Sequence, residues 1–262
     1  MIIKNKKILI TGGSAGIGKA VIAELIKYGA TEFAVISRKK EPLEKLREEF
    51  NTAKFLLIQG NVADLEDLDR AVEQVQQKWG KLDILVNNAG VVSAGLLKDL
   101  SDQDIIGQIN VNLTGLILLT KKVLPLLKDS SEGAIINVSS GYGYIAMPFY
   151  SVYAATKAAV GQFSDAMRRE LHQYPLHVMT VYPSATETNM MKTADVGGMD
   201  SPQEVAKRTV DGLISGEINV ILGGEERKKH IELNFNNPRK IDEAAIANYE
   251  ALEKRTRNHR SM

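Results

Sequence analysis

The sequence predicts an α/β fold: a doubly wound, Rossmann-type parallel sheet flanked by helices, in a single domain covering 1–262. Short apolar runs alternate with longer helical patterns over most of the chain. The runs are apolar on both faces, which is typical of parallel strands that helices cover on both sides. With 262 residues, of which 44% are hydrophobic and 25% charged, the chain fits one globular domain with a sizeable core.

The first half of the chain contains the first four predicted strands and the helices between them. The strands lie at 6–11, 33–38, 54–60 and 82–88, and the helices lie at 18–29, 41–50 and about 65–79. Pro42 suits the first turn of the second helix, because that position needs no N–H donor. Right-handed crossovers make such a sheet doubly wound, and its ligands bind beyond the carboxyl ends of the strands.

The second half continues the alternation and then becomes irregular. A long helix is expected at about 101–127, a strand at 133–140, a helix at 150–174 and a strand at 176–183. Small and polar residues at 184–200 predict a mobile loop, and Ser201 and Pro202 begin a helix at 201–216. We expect 184–216 to form a substrate loop and helix.

The last part of the chain is predicted to be a strand followed by a charged extension. The strand lies at 217–224, the charged C-terminal extension covers 225–262, and a terminal helix is expected at 241–256. The basic stretch "EKRTRNHRSM" at the end is interpreted as a solvated tail, with contact to a partner subunit as the alternative.

Composition excludes several classes of function. The net charge of +1 gives no indication of binding to nucleic acid or to an anionic membrane. The chain has no cysteine, and its four histidines are not grouped as metal ligands, so no metal site is expected. The first residues lack a signal-peptide core, and Lys121, Lys122 and Pro125 interrupt the most apolar helix. We therefore expect a cytoplasmic protein with no membrane span.

A glycine-rich loop, "TGGSAGIG" at 11–18, joins the first strand to the first helix. Its glycines allow a tight turn and a close approach to a pyrophosphate, whose charge the helix N-terminus favours. A purely structural turn is the alternative. The residues expected to contact the cofactor here are Gly12, Ser14, Gly16, Ile17 and Gly18.

The same loop nearly matches the phosphate-binding motif of nucleotide hydrolases. Gly13, Gly18 and Lys19 have the spacing G-x-x-x-x-G-K. That motif needs Ser or Thr next, because the hydroxyl binds magnesium, and this chain has Ala20. The hydrolase interpretation is therefore rejected.

The end of the second strand indicates which dinucleotide binds. A carboxylate there would hold the ribose 2′-hydroxyl of NAD, whereas an arginine accommodates the 2′-phosphate of NADP. The chain has Ser37 at the acidic position, followed by Arg38 and Lys39. Because a guanidinium can bind phosphate through two hydrogen bonds, these residues favour NADP(H) over NAD(H). An exposed basic turn without a ligand is the alternative.

Further motifs follow in order: "NNAG" at 87–90, "VSS" at 138–140, and Tyr153-x-x-x-Lys157, whose two side chains lie one helical turn apart. Together with the glycine loop, they make the chain resemble the short-chain dehydrogenase/reductase family, in its branch of about 250 residues with the T-G-x-x-x-G-x-G loop. The resemblance extends from about residue 6 to residue 222. It implies an oxidoreductase that uses a nicotinamide cofactor.

The resemblance also implies four catalytic residues. Tyr153 would be the acid/base, and Lys157 would favour its ionised form and bind the nicotinamide ribose. Ser140, rather than its neighbour Ser139, has the family's spacing of 13 residues to the tyrosine and would polarise the substrate carbonyl. Asn112 would hold a water of the proton relay, with Asn110 as the alternative assignment.

The remaining cofactor contacts implied by the resemblance follow the third, fourth and sixth strands. Asn61 stands where the family usually has Asp, and Ser184 replaces a usual glycine, which puts the local geometry there in question. These contacts are Asn61, Val62, Asn87, Ala89, Gly90, Pro183 and Thr188.

These observations predict an NADP(H)-dependent oxidoreductase that transfers a hydride between nicotinamide and a carbonyl or secondary alcohol. A cofactor-binding regulatory module and an epimerase or dehydratase are the alternatives. Association through the helices at 101–127 and 150–174 would give a homodimer or homotetramer. We expect an apolar substrate pocket with no cationic group for a carboxylate or phosphate, and its candidate residues are Ser93, Tyr142, Tyr144, Met147, Phe149, Tyr150, Met190 and Met191.

Overall fold

A single parallel sheet forms the centre of the molecule in a computed structural model, which describes residues 1–194 and 197–262. Its strand order is β3-β2-β1-β4-β5-β6-β7, and each pair of neighbours is parallel. This is the predicted doubly wound, Rossmann-type sheet in one domain. The strands are β1 (Lys7–Thr11), β2 (Glu32–Ser37), β3 (Lys54–Gln59), β4 (Ile84–Asn87), β5 (Gly133–Val138), β6 (Leu176–Tyr182) and β7 (Asn219–Ile221).

Helices cover both faces of the sheet. The order of the chain reverses between β1 and β4, which are neighbours in the sheet, and this creates a crevice at their carboxyl ends. The helices are α1 (Gly16–Lys27), α2 (Lys40–Glu49), α3 (Leu65–Trp79), α4 (Asp102–Ile109), α5 (Gly115–Lys128), α6 (Ser151–Glu170), α7 (Pro202–Ser215), α8 (Gly224–Asn236), α9 (Pro238–Ala247) and α10 (Tyr249–Thr256).

Two hydrophobic cores lie on opposite faces of the sheet, because successive strand residues point to opposite sides. Ile8 and Ile10 of β1 pack in the core covered by α1, α2 and α7. Leu9, between them, packs in the core covered by α3, α5 and α6. Each of these three side chains is 0% exposed. This two-sided burial explains why the strands read as continuous apolar runs.

Specific residues set the helix boundaries. The Asp64 side chain accepts a hydrogen bond from the backbone N–H of Asp67 and begins α3. Ser201 caps α7 as predicted, and with Glu204 it forms a capping box. Gly80 and Gly216 end α3 and α7 in the left-handed conformation, which costs glycine no steric strain.

The predicted long helix is interrupted by one π-turn. α4 and α5 are joined by a π-helical segment, Asn110–Thr114, within the continuous helical run Asp102–Lys128. By length and composition alone, this run could cross a membrane. Leu119, Val123 and Leu127 are, however, 0% exposed and pack against the sheet, so the protein core accounts for their hydrophobicity.

The charged C-terminal extension differs from the prediction. It forms three helices, α8 to α10, instead of the single helix expected at 241–256. The last strand is shorter than predicted, because Gly223 adopts φ +90° and α8 begins at the next residue. The prediction of a solvated tail was also wrong. Residues 257–262, here called the C-terminal segment, pair with the loop after β4 through an antiparallel bridge between Ser93 and Arg260.

Candidate active site

The glycine loop after β1 forms one wall of the crevice. Gly12 and Gly16 adopt φ +65° and +52°, which other residues rarely do. Gly18 is required for packing instead: a Cβ there would lie 2.5 Å from Nδ2 of Asn88 and 2.6 Å from the carbonyl oxygen of Gly12. Gly12 and Gly16 therefore line the crevice, whereas Gly18 lies beneath it.

The NNAG segment is fixed to this loop by Asn88. Its Nδ2 donates to the carbonyl oxygens of Thr11 and Gly12 at 3.0 and 3.2 Å. The Thr11 hydroxyl accepts from the backbone N–H groups of Asn88 and Ala89, both at 3.0 Å. These bonds hold the carboxyl ends of β1 and β4 together and place Asn88 and Ala89 on the crevice wall.

The structure corrects the placement of Asn87, which does not line the crevice. Its Nδ2 donates to Thr120 at 3.0 Å and to Asn137 at 2.8 Å, in a buried network between β4, α5 and β5. Because consecutive residues of a strand point to opposite faces, only one of the two asparagines can face the crevice, and that residue is Asn88.

The crevice is basic where β2 ends. Ser37, Arg38 and Lys39 line it, and the hydroxyls of Ser14 and Ser37 are 2.7 Å apart, so the glycine loop and this edge are joined. Both basic side chains are exposed. No carboxylate among the described lining residues opposes an anion at this end.

The loop after β3 lies beside this basic edge. Asn61 and Val62 line the crevice, and the backbone N–H of Asn61 donates to the Asp67 carboxylate at 2.7 Å. This bond and the Arg70 guanidinium lower the pKa of Asp67 below its usual value. The substitution of Asn for the family's Asp therefore leaves an ordered loop.

Tyr153 and Lys157 extend from the first turns of α6 toward the carboxyl end of β5. The Lys157 ammonium donates to the carbonyl oxygen of Val138 at 3.0 Å and lies 5.8 Å from the centre of the Tyr153 ring. The Ser140 hydroxyl accepts from the backbone N–H of Tyr142 at 3.2 Å and lies near the Tyr153 hydroxyl, whose pKa it lowers. Ser139 has a different environment: its hydroxyl donates to the carbonyl oxygen of Lys157 at 2.7 Å. The two alternative serines are thus distinguished by geometry.

Burial controls the ionisation of this pair. Burial raises the pKa of Tyr153 to about 12, and the nearby Ser140 hydroxyl offsets only part of the effect. Burial also lowers the pKa of Lys157 to about 8. The sequence predicted that the cation would favour ionised tyrosine, and in this structure desolvation outweighs that attraction. Tyr153 is therefore a protonated phenol near neutral pH.

Asn112 reaches the same place from the π-turn. Its Oδ1 accepts from the backbone N–H of Val91 at 2.8 Å, and its Nδ2 donates to the Val91 carbonyl at 2.9 Å and to Thr156 at 3.1 Å. A Cβ added to Gly90 would lie 3.4 Å from both Asn112 Oδ1 and Lys157 Nζ, so these two atoms face a common space. Since Oδ1 has a second lone pair, it can accept another hydrogen bond there.

One cavity of about 690 Å³ connects the basic edge to Tyr153 and Lys157. Its elongated lining, its left-handed glycines and its basic end fit a dinucleotide. Ser184, the departure from the family's glycine, also lines it, and its hydroxyl donates to Asp200. Of the predicted cofactor contacts, those that line the cavity are Gly12, Ser14, Gly16, Ile17, Ser37, Arg38, Lys39, Asn61, Val62, Ala89, Gly90, Tyr153, Lys157, Pro183 and Thr188.

Only some predicted pocket residues lie at the cavity. Tyr142, Tyr150, Met190 and Met191 line it, whereas Ser93, Tyr144, Met147 and Phe149 do not. The Ser93 hydroxyl donates to Asp104, and the ring of Phe149 packs on Tyr249. The mobility expected for the loop at 184–200 stays a prediction, and its residues Asp195 and Val196 lie outside the described part of the chain.

The C-terminal extension supplies lining residues that the sequence interpretation missed. His259 is 3% exposed, with Nε2 3.0 Å from the carbonyl oxygen of Met190 and Nδ1 2.8 Å from the Tyr150 hydroxyl. Because a carbonyl only accepts, Nε2 carries the proton and Nδ1 accepts from Tyr150. Arg260 forms a two-bond ion pair with Asp104, at 2.8 and 3.0 Å. The lining residues from this extension are Arg227, Arg255, His259, Ser261 and Met262.

Comparison with known proteins agrees with this geometry. The family model for short chain dehydrogenases matches residues 6–197. The chain belongs to the short-chain dehydrogenase/reductase family. It is 34% identical over 240 residues to the 3-oxoacyl-[acyl-carrier-protein] reductase FabG of Thermotoga maritima, with 85% of this chain and 96% of that protein covered. It is 29% identical over 230 residues to an NADP-dependent 3-hydroxy acid dehydrogenase of Schizosaccharomyces pombe, covering 86% and 89%.

Solved structures of this oxidoreductase family have the same fold. A short chain dehydrogenase from Burkholderia cenocepacia in complex with NADP superposes with a TM-score of 0.82 at 23% identity, covering 94% of this chain and 99% of that one. A 3-ketoacyl-(acyl-carrier-protein) reductase from Brucella melitensis complexed with NADH has a TM-score of 0.74 at 26% identity, covering 84% and 96%. The similar structures therefore include complexes with either cofactor.

Proposed function

We propose that the protein is an NADP(H)-dependent oxidoreductase that transfers a hydride between nicotinamide and a carbonyl or secondary alcohol carbon. The observation that carries the proposal is the cluster of Ser140, Tyr153 and Lys157 at one end of a cavity whose other end is a glycine loop. The bound nicotinamide would supply or accept the hydride. All other steps of the reaction fall to side chains of this chain.

In the reductive direction, Ser140 and Tyr153 donate hydrogen bonds to the substrate carbonyl oxygen and so polarise the carbon. Tyr153 then gives its phenolic proton to the oxygen as the hydride reaches the carbon, which completes the alcohol. Its pKa of about 12 keeps the phenol protonated before the reaction. Lys157, together with solvent held near Asn112 Oδ1, returns a proton to Tyr153. Oxidation follows the same path in reverse.

The basic edge supports NADP(H) as the preferred cofactor. Arg38 and Lys39 are exposed at the cavity rim, where a 2′-phosphate would form charge-assisted hydrogen bonds. Ser37 adds no negative charge that would repel the phosphate. The relative from Schizosaccharomyces pombe is NADP-dependent, which agrees with this preference.

The deciding experiment follows loss of reduced-nicotinamide absorbance with NADPH and with NADH, on a panel of ketones and aldehydes. Wild type is measured beside Tyr153→Phe, which removes the proton donor and keeps the ring. Turnover that prefers NADPH and disappears in the variant supports the proposal. Binding of NADPH without turnover on any carbonyl would favour the regulatory module instead.

We also propose that the protein is a cytoplasmic homodimer or homotetramer associating through α4, α5 and α6. Ile106 and Ile109 of α4 are 56% and 39% exposed, and burial of such apolar side chains favours association. A monomer in multi-angle light scattering would contradict this assembly.

A further inference from the structure

The substrate end of the cavity contains two arginines that the proposed reaction does not use. Arg227 of α8 and Arg255 of α10 both line the cavity and are half-buried. They come from separate helices of the C-terminal extension, yet both lie near the same aromatic side chain, Tyr142. The sequence predicted a pocket without a cationic group at this place, and the structure corrects that expectation.

Arg227 lies beside the segment that follows the candidate catalytic serine. A Cβ added to Gly141 would be 3.5 Å from Cζ and 3.6 Å from Nη1 of Arg227. Gly141 is the residue directly after Ser140, and its backbone N–H donates to the carbonyl oxygen of Pro183 at 2.8 Å. The guanidinium is therefore held close to the group expected to bind the substrate oxygen.

Arg255 lies at the other side of the same space, beside Tyr150. The ring of Tyr150 is 4.8 Å from that of Tyr142 and 6.3 Å from that of Tyr153, measured between ring centres. Nε of Arg255 is buried and has no hydrogen-bond partner among the described residues. A buried donor of a charged group without a partner is costly, and a ligand oxygen would relieve this cost.

Among the described residues, no acidic side chain pairs with the two arginines at this end of the cavity. In the part of the chain that the structure describes, no Asp or Glu lines the cavity, and neither arginine has a carboxylate partner. Other arginines do have one: Arg208 is bound to Glu217, and Arg260 is bound to Asp104. The two cations thus face the cavity in the arrangement expected of an anion site.

We propose that Arg227 and Arg255 bind a carboxylate of the substrate, so that the carbonyl compound reduced by this enzyme is a short oxo acid and the alcohol it oxidises is a hydroxy acid. This inference rests on the proposed function. The tyrosine rings that neighbour both the arginines and Tyr153 place the carboxylate within a few bonds of the reacting carbon. The cationic groups at the opposite end, Arg38 and Lys39, are left for the cofactor.

The test compares acids with their neutral esters. 2-Oxobutanoate and 3-oxobutanoate are each offered beside the corresponding methyl ester, with NADPH, to wild type, Arg227→Gln, Arg255→Gln and the double variant. Arg257→Gln is the matched control, because it removes the same charge from an exposed position in the C-terminal segment. The variants should raise KM for an acid by about 10- to 100-fold each, as expected for a lost charge-assisted hydrogen bond. KM for the ester and for NADPH should stay unchanged.

A binding measurement separates this inference from the proposed function. Tyr153→Phe saturated with NADP⁺ is titrated with the same two acids by calorimetry, since this variant retains the arginines but lacks the proton donor. The anion site is supported if Tyr153→Phe binds an acid and the triple variant, which also carries Arg227→Gln and Arg255→Gln, does not. This result counts even if no carbonyl is turned over. Three results would overturn the inference. These are an equal KM of wild type for acid and ester, an equal rise of KM for acid and ester in the variants, and no binding of either acid.

Discussion

Docking of the C-terminal segment onto the active site depends on His259, and His259→Ala should release it. The substitution removes hydrogen bonds of 2.8 Å to Tyr150 and 3.0 Å to Met190. Each contributes a net stabilisation of about 1 kcal/mol, and the stranded, buried Tyr150 hydroxyl costs about 1–2 kcal/mol more in the docked state. The docked state should therefore lose about 3–4 kcal/mol, which shifts the docking equilibrium about 140- to 700-fold toward release.

Hydrogen exchange measures this shift directly. Two amides report docking: the N–H of Ala94 donates to the His259 carbonyl, and the N–H of Ser261 donates to the Val92 carbonyl. Their exchange should accelerate by the factor given above, or by their full wild-type protection factor if that is smaller. Amides of β1 and β4 should keep their protection. His172→Ala is the control, because that histidine is exposed and its ring bonds to the carbonyl of Arg169 in its own helix end.

The reasoning would be refuted by unchanged exchange at Ala94 and Ser261 in His259→Ala. Equal acceleration throughout the sheet would also refute it, since that result would show global destabilisation in place of local release. Trypsin offers a second readout, because Arg257 and Arg260 lie within the segment. Release should speed cleavage after both residues, because it frees the backbone of the segment from the hydrogen bonds to the loop after β4.

Three further predictions concern cofactor choice, pH and packing. Ser37→Asp combined with Arg38→Ala should lower kcat/KM with NADPH about 10- to 100-fold and spare NADH, because the 2′-phosphate loses a charged donor and meets a carboxylate. The kcat/KM for reduction should fall as pH rises through about 8, where Lys157 loses its proton in the free enzyme. Gly18→Ala should lower the unfolding free energy by about 1–3 kcal/mol and Tm by about 2–12 °C, since its Cβ would overlap Asn88 and Gly12.

Each of these predictions has a matched control and a contradicting result. Lys40→Ala should leave cofactor choice unchanged, because Lys40 does not line the cavity; an unaltered NADPH preference in the Ser37 and Arg38 variant would count against the basic edge. Lys157→Arg should move the fall in kcat/KM to higher pH. If the fall stays near pH 8, a group other than Lys157 causes it. A Cβ added to Gly197 has no neighbour within 4 Å in the described part of the chain, so Gly197→Ala should leave Tm unchanged.

The features that depend on neighbouring residues in the chain were predictable from sequence. β-strand hydrophobicity is a local property, so the fold followed from pattern alone. The i, i+4 spacing places Tyr153 and Lys157 on one face of a helix, but their catalytic roles were predicted from the family resemblance. The choice of Asn87 as the cofactor contact could not be checked from sequence, because which asparagine faces the crevice depends on where β4 ends and which side its last residue takes. That choice is made by tertiary contacts with Thr120 and Thr11.

The cavity residues from the C-terminal extension had no such local signal. Tyr150 and His259 are separated by 109 residues, and Asp104 and Arg260 are separated by 156. The sequence of a charged helix without an apolar stripe is typical of a solvent-exposed helix. Its periodicity therefore gives no indication that one face packs against another part of the chain. The pKa of Tyr153 escaped prediction for a related reason: desolvation depends on every neighbour, whereas the motif names only one.

The π-turn at Asn110–Thr114 makes the position of Asn112 in the candidate site depend on the number of residues in this helix. A π-turn accommodates one residue more than the α-helical path, so α4 and α5 differ in phase by about 100°, the rotation of one helical residue. Deleting a single residue here would let the backbone relax into an uninterrupted α-helix of nearly unchanged composition. Either Asn112 or its replacement would then turn away from Gly90 and Lys157, or the apolar face of α5 would rotate off the sheet. One residue of chain length in this helix thus decides whether the side chain at position 112 faces Lys157.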